Sequence, residues 1–182
     1  MQIAVASGKG GTGKTTIATS LAQCAQGAVQ FLDCDVEEPN GHLFLRPVLT
    51  ESSRQRVTIP RILADKCSFC GKCRNICRFN AITMFGETIM AFPELCHSCL
   101  GCFLVCADKA LVRDSREIGV VERGHSGAID FVQGRIRVGE AMAVPLIKAV
   151  KRRAHQEGLV IIDAPPGTSC PFVEAVSTAD FV

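Results

Sequence analysis

Two sets of residues in this sequence have the types and spacing to do chemistry. Eight cysteines fall in two runs of the form C-x-x-C-x-x-C-x-x-x-C: Cys67, Cys70, Cys73 and Cys77, then Cys96, Cys99, Cys102 and Cys106, each displaced by 29 positions. Thiolates this closely spaced are ligands for iron–sulfur clusters. The echo continues in Ala81-Ile82 and Ala110-Leu111, so a whole unit is duplicated. The second set is Gly8-Lys9-Gly10-Gly11-Thr12-Gly13-Lys14-Thr15-Thr16, which satisfies G-x-x-x-x-G-K-S/T. Glycines at this spacing let backbone N–H groups converge on phosphate oxygens at a helix N-terminus. In such a loop Lys14 neutralises the outer phosphates and the Thr15 hydroxyl reaches Mg²⁺.

In the bacterial form of the cysteine repeat, three closely spaced thiolates hold one cluster and the fourth ligates the other. That assigns Cys67, Cys70, Cys73 and Cys106 to one 4Fe–4S cluster, and Cys96, Cys99, Cys102 and Cys77 to the second. The region resembles bacterial two-cluster ferredoxins over roughly fifty residues. It departs from them where proline usually follows the fourth cysteine, because Arg78 and Ala107 stand there. Zinc is the alternative, since CxxC pairs also build tetrahedral sites; the tandem repeat favours iron. So small a unit has little core of its own and is expected to fold only with its clusters.

Lys9, a second lysine inside the phosphate loop, marks the deviant Walker A form. On this motif the chain resembles the MinD/Mrp branch of P-loop ATPases, which includes ParA and the nitrogenase iron protein. The resemblance implies ATP as the nucleotide, and a homodimer closed across it in which Lys9 reaches the partner's phosphates. It makes Asp35, in Asp33-Cys34-Asp35, the residue that positions or activates the attacking water. Asp163, closing the apolar run Leu159 to Ile162, becomes the Walker B carboxylate that contacts Mg²⁺ through water. Each carboxylate could instead cap a strand end. A cysteine near the position of Cys170 holds a shared cluster in the nitrogenase iron protein, but here Cys170 has no evident companion.

The elements that must position these groups follow an α/β pattern. A strand at Ile3 to Ala6 leads into the glycine loop, a helix runs from Lys14 to about Gln26, and a second strand spans Val29 to Leu32. Polar Thr50 to Arg56 reads as a linker. Beyond the cysteine region, strand-like pieces fall near Gly119–Val121 and Gly134–Val138, a helix near Val144 to Gln156, and a buried parallel strand at Leu159 to Ile162. Asp180-Phe181-Val182 reads as the opening of a further strand, which suggests a fragment lacking roughly its C-terminal third. The expected fold is a P-loop NTPase parallel sheet with helices on both faces, formed by residues 1–59 and 114–182. An inserted α+β bacterial-ferredoxin-like domain occupies residues 60–113.

Composition bounds the function. Apolar residues make up 47% of the 182 and the net charge is only +2, which argues for a globular protein without a nucleic-acid partner. No run approaches the roughly 18 apolar residues of a membrane span, and no leader pattern opens the chain. A cytoplasmic location follows, where thiols stay reduced. Cys24 and Cys34 read as small buried hydrophobes, His97 as a spacer, and Lys151-Arg152-Arg153 as a solvated helix face; His42, His125 and His155 show no partner pattern. The expected function is ATP hydrolysis coupled to cluster-based electron transfer or metallocofactor assembly, with an unidentified redox or acceptor protein. The rival readings are a carrier delivering clusters to apo-proteins and a nucleotide-gated regulatory module.

Overall fold

A computed structural model describes all residues, Met1–Val182. The first elements are β1 (Gln2–Val5), α1 (Lys14–Cys24), β2 (Val29–Asp33), α2 (Gly41–Leu45) and β3 (Val48–Ile62). The cysteine-rich stretch adds α3 (Lys72–Ile76), β4 (Ile82–Phe85), β5 (Thr88–Ala91) and α4 (Gly101–Val105). Then come β6 (Leu111–Ser126), β7 (Ile129–Ile136), α5 (Val144–Lys151), β8 (Leu159–Asp163) and α6 (Cys170–Val176). The chain divides into two compact units, Met1–Gln55 with Ile118–Val182, and Arg56–Glu117. The boundaries lie a few residues outside the expected 60–113, because β3 and β6 each extend past those limits.

In the first unit the sheet order is β1-β8-β2-β7-β6-β3. Strands β1, β8, β2 and β7 run parallel, whereas β6 pairs antiparallel with β7. The sheet is therefore mixed rather than wholly parallel. Register fixes its two faces. Phe31 lies opposite Phe131 and Ile161, and these pack with Ala18 and Ala22 of α1. The Phe31 and Phe131 rings stack at 5.8 Å. The next residues along, Leu32, Val132 and Ile162, turn to the other face. On that face a Cβ at Gly134 would meet Val150 and Leu146 of α5. Helices thus cover both faces of the parallel strands.

Two sequence expectations change here, and the strand expected to open at Asp180 is found. Thr50 to Arg56 is not a linker but part of β3, an edge strand whose polar, exposed residues suit an unpaired edge. The helix expected to reach Gln156 ends at Lys151, and Gly158 adopts φ +85° before β8. Asp180 to Val182 contributes a parallel bridge from Phe181 to Ile3, with Ala4 N–H donating to Phe181 O at 2.9 Å.

The second unit carries the sequence repeat into its backbone. Helices α3 and α4 are displaced by the same 29 residues as the cysteines, as are the 3-10 turns Ala64–Lys66 and Pro93–Leu95. Left-handed residues recur in pairs: Phe69 and Ser98 (φ 54° and 53°), Gly71 and Leu100 (72° and 63°), Asn80 and Lys109 (52° and 51°). The halves also exchange hydrogen bonds. Leu63 N–H donates to Ala110 O at 2.8 Å, and its counterpart Phe92 N–H donates to Ala81 O at 2.7 Å. Each half is completed by the end of the other. Arg78 and Ala107 do not disturb this, since Cys77 and Cys106 share one backbone shape (φ −74°, ψ 99° and φ −84°, ψ 95°).

Candidate nucleotide site and candidate metal centres

Parallel pairing brings the carboxyl ends of β1, β8 and β2 side by side, with Val5 opposite Asp163 and Asp163 opposite Asp33. The glycine loop follows β1, Asp35 follows β2, and Asp163 ends β8. All the residues expected to handle phosphate therefore meet at one edge, the usual ligand crevice of an open α/β sheet.

The loop has the shape of an anion cradle. Gly11 and Gly13 take φ of +71° and +88°, values that side chains resist. A Cβ at Gly8, Gly10, Gly11 or Gly13 would meet no protein atom within 4 Å, so the space beside the backbone is open to a ligand. Internal bonds brace the loop: Thr12 Oγ1 donates to Ser7 Oγ at 2.8 Å, and Ser7 Oγ donates to Lys9 O at 2.7 Å. Gly167 N–H donates to Ser7 O at 3.1 Å, tying the segment after β8 to it. Helix α1 starts at Lys14 behind Gly13 with no side-chain cap, which leaves its first N–H groups facing the cradle. Lys14 is buried, while Lys9 and Thr16 are exposed.

Behind the loop lies a concentration of negative charge. Thr15 Oγ1 donates to Asp163 Oδ2 at 2.5 Å, and the other oxygen, Oδ1, is buried without a partner. A buried carboxylate oxygen costs free energy unless something binds it. The donor set of Thr15 hydroxyl and Asp163 carboxylate suits Mg²⁺, which prefers oxygen ligands and keeps several waters. Burial raises the Asp163 carboxyl above its ordinary range, against the Thr15 bond and Lys14, which lower it. Asp35 is half-buried; burial first and the Asp163 charge second push it up to about 6. Asp33, which sequence reasoning noted only as part of the motif, is wholly buried and accepts from Gly41 N–H (2.9 Å) and Asp35 N–H (3.2 Å). Burial, then Asp163, raise its carboxyl well above the usual range. It holds the segment carrying Asp35 against the end of β2.

The eight repeat cysteines line two cavities, four to each. Cys67, Cys70, Cys73 and Cys106 border one, among Ile62, Ile89, Val105 and Leu111. Cys77, Cys96, Cys99 and Cys102 border the other, among Pro60, Ile76, Ile82 and Phe103. The exchanged ends of the two halves account for this crossing of Cys77 and Cys106. No three His, Cys, Asp or Glu side chains gather closely enough for a single metal ion. The thiols stand around the walls of each cavity instead of meeting at one point. All eleven cysteines are free thiols. Burial pushes the Cys102 thiol up to about 11, with the neighbouring Cys96 adding to it. Phe69 N–H donates to Cys67 Sγ (3.4 Å) and Ala81 N–H to Cys77 Sγ (3.3 Å). Such bonds steady a thiolate.

The remaining residues divide. Cys34 is buried as expected, but Cys24 is exposed at the end of α1, and Cys170 is exposed at the start of α6. His97 is more than a spacer, since its ring stacks on Phe79 with centroids 3.6 Å apart. His155 has a partner after all: Nε2 lies 3.0 Å from Asp130, which also pairs with Arg123 at 3.1 Å. Of Lys151 to Arg153, read as a solvated face, only Arg152 is exposed. Lys151 Nζ donates to Glu174 O and Ser177 Oγ, and Arg153 pairs with Glu51 at 3.2 Å. No helix is long and apolar enough to cross a membrane.

Comparison with known proteins bears on the nucleotide site. Residues 3–160 match the CobQ/CobB/MinD/ParA nucleotide binding domain. Two similar proteins come from Methanocaldococcus jannaschii, both uncharacterized. MJ0578 is 36% identical over 99% of this chain and 65% of its own length. MJ0579 is 27% identical over 100% of this chain and 67% of its own length. The chain thus spans about two thirds of the relatives it matches.

Proposed function

The chain belongs to the CobQ/CobB/MinD/ParA nucleotide-binding family, and from that premise we propose that it is a Mg²⁺-dependent ATPase whose nucleotide state governs two 4Fe–4S clusters in the cysteine-rich unit. The observation that carries the coupled reading is the coexistence, in one chain, of the phosphate cradle with two cavities of four thiols each.

At the nucleotide site each residue has a distinct task. The loop N–H groups and Lys14 bind and orient the phosphates. Thr15 and Asp163 would hold the Mg²⁺, which would supply positive charge beside the carboxylate whose Oδ1 has no protein partner. Asp35, held through Asp33, orients the attacking water and accepts its proton. Lys9, exposed on the loop, is free to reach the phosphates of a second copy across a homodimer.

In the cysteine unit the donor chemistry fits iron–sulfur clusters better than zinc. One zinc ion needs four ligands converged on a point, whereas a cubane spreads its four thiolates over its corners. The clusters, when bound, supply one-electron chemistry. The chain's part is to hold eight thiolates, donate N–H bonds to two of the sulfurs, and wall each cavity with apolar side chains. Four protein thiolates for each cluster leave no exchangeable corner, which favours electron transfer over delivery of clusters to another protein. Free thiols and clusters alike suit a reducing, cytoplasmic setting.

The test pairs two variants of anaerobically prepared protein. Lys14→Ala lowers ATP turnover by at least about 100-fold, the scale of losing one fixed charge-stabilising group, while its visible absorption is unchanged. Cys70→Ala keeps nucleotide binding and loses absorbance near roughly 400 nm, as expected for a ligated cluster. Full turnover in the Lys14 variant contradicts the ATPase reading, and unchanged absorbance in the Cys70 variant contradicts the cluster reading.

A further inference from the structure

Among Asp, Glu, Lys and Arg, four side chains are buried. Lys14, Asp33 and Asp163 meet at the nucleotide site, and the fourth is Arg116, 8% exposed on β6. Taking a guanidinium out of water is costly unless its surroundings make up for it, and no step of phosphate binding uses this one. Its Nη2 donates to the backbone carbonyl of Cys96 at 3.3 Å, and Cys96 lines the Cys77/Cys96/Cys99/Cys102 cavity. The 29-residue shift matches Arg116 to Glu87, an exposed residue in the turn between β4 and β5, so the other half has no equivalent cation. The equivalent cysteine loop there is tied by the opposite charge. Ser68 donates its N–H (3.3 Å) and its hydroxyl to the Asp108 carboxylate, which lines the Cys67/Cys70/Cys73/Cys106 cavity. The positions matched to Ser68 and Asp108 hold His97 and Phe79, whose rings stack instead.

We infer that Arg116 positions Cys96 and raises the reduction potential of the cluster in the Cys77/Cys96/Cys99/Cys102 cavity. The inference rests on the cluster reading above and adds which of the chain's charges poises that cluster. A cluster gains one negative charge on reduction, and net charge and hydrogen bonds to the sulfurs are among the levers that set its potential. In other respects the two cavities are matched. Each is walled by apolar side chains, and each receives a backbone N–H on a thiol sulfur, from Phe69 to Cys67 and from Ala81 to Cys77. Charge is what differs. A buried cation acts through a low dielectric and favours the reduced, more negative form. Lys66, Lys72, Arg74 and Lys109 flank the other cavity in sequence, as Arg78 and Glu94 flank this one, but all six are exposed, where water and salt screen them. The bond to Cys96 O also fixes the peptide that leads into the C-x-x-C turn. One side chain thus supplies both position and charge.

The experiment is an anaerobic potentiometric titration of the full chain with dithionite, followed by electron paramagnetic resonance. Each dithionite is oxidised to sulfite and gives up two electrons, one to each cluster. Arg116→Gln keeps an N–H donor and removes the charge. It is expected to lower the reduced-to-oxidised ratio of one cluster at least tenfold at a fixed potential, a midpoint shift of about 59 mV for one electron, and to leave the other cluster within twofold. Arg116→Lys keeps the charge and is expected to stay within threefold of wild type at both. The shift is expected to persist in a Cys70→Ala background, where the Cys77/Cys96/Cys99/Cys102 cluster remains. Unmoved midpoints in the Gln variant, an equal fall in the Lys variant, or loss of the shift in the Cys70→Ala background overturns the inference. Should the Gln variant fail to load iron, full loading of the Lys variant still assigns the role to the charge, and failure of both overturns it. Iron and sulfide are measured in every sample. Their absence from the wild-type protein overturns the cluster reading and this inference together, whereas full loading with unmoved midpoints overturns the role of Arg116 alone.

Discussion

Asp35 stands two residues beyond the end of β2, where burial and the Asp163 charge raise its carboxyl to about 6. In the nucleotide-free protein the fold therefore binds this proton more tightly than the unfolded chain does, whose carboxyl titrates near about 3.9. The stability this group contributes is full below about pH 4 and is lost as pH rises through about 6. A thermal melt of the Mg²⁺-free protein is expected to fall in midpoint across that window, with Asp35→Asn flattening part of the fall. Asp33 and Asp163, also raised, act in the same direction. The role proposed for Asp35 needs the ionised form, so turnover rises with pH over the same range. Asp163→Asn keeps the shape beside Thr15 but weakens the metal site. It is expected to raise the Mg²⁺ concentration needed for half-maximal turnover at least about tenfold, on the scale of a charge-assisted contact, as a Mg²⁺ titration would record.

At the scale of elements, the turn from β2 into α2 has no room to spare. A Cβ at Gly41 would lie 2.6 Å from the Phe31 ring and 2.9 Å from Asp33 Oδ2. Gly41→Ala must displace the stacked Phe31 or break the bond that holds the Asp35 segment. It is expected to cost about 1–3 kcal/mol, in the range for overpacking, and to lower turnover even where the protein remains folded; urea titration read beside turnover separates the two effects. Element positions were legible in the sequence: β1, α1, β2 and β8 lie close to where the pattern put them, β2 and β8 as apolar runs buried along nearly their whole length. Helix α1, however, buries Ala18, Thr19 and Ala22, while Ile17, expected on its apolar face, is exposed. The edge strand β3 was not legible. Its first nine residues face solvent in all but two places, so nothing in Thr50 to Arg56 alternates as a half-buried strand would. The glycine loop and Asp163 were readable because their chemistry is local in sequence. The Phe79–His97 stack, the Asp33 clamp and the His155–Asp130 pair were not, since each depends on contacts between segments far apart in the chain or between the repeat halves.

For the whole molecule, two compact units differ in what they have to hold them together. Unit one has a continuous sheet core around Phe31, Phe131 and Ile161. Residues 56–117 have a small buried cluster of Cys73, Ile82 and Leu111. A unit this size is marginal without metal. Removing iron with a chelator under reducing conditions is expected to unfold residues 56–117 while nucleotide binding by the other unit persists. Limited proteolysis, with cuts confined to 56–117, would record it; full protease resistance after iron loss would count against it. The central claim is that the phosphate cradle and the thiol-lined cavities serve one function. Its most direct test is the rate of cluster reduction by methyl viologen in anaerobic protein, with and without Mg-ATP. The account predicts a rate that changes with ATP in the wild type and not in Lys14→Ala. Reduction indifferent to ATP in both proteins, or a preparation holding zinc or no metal, would contradict it.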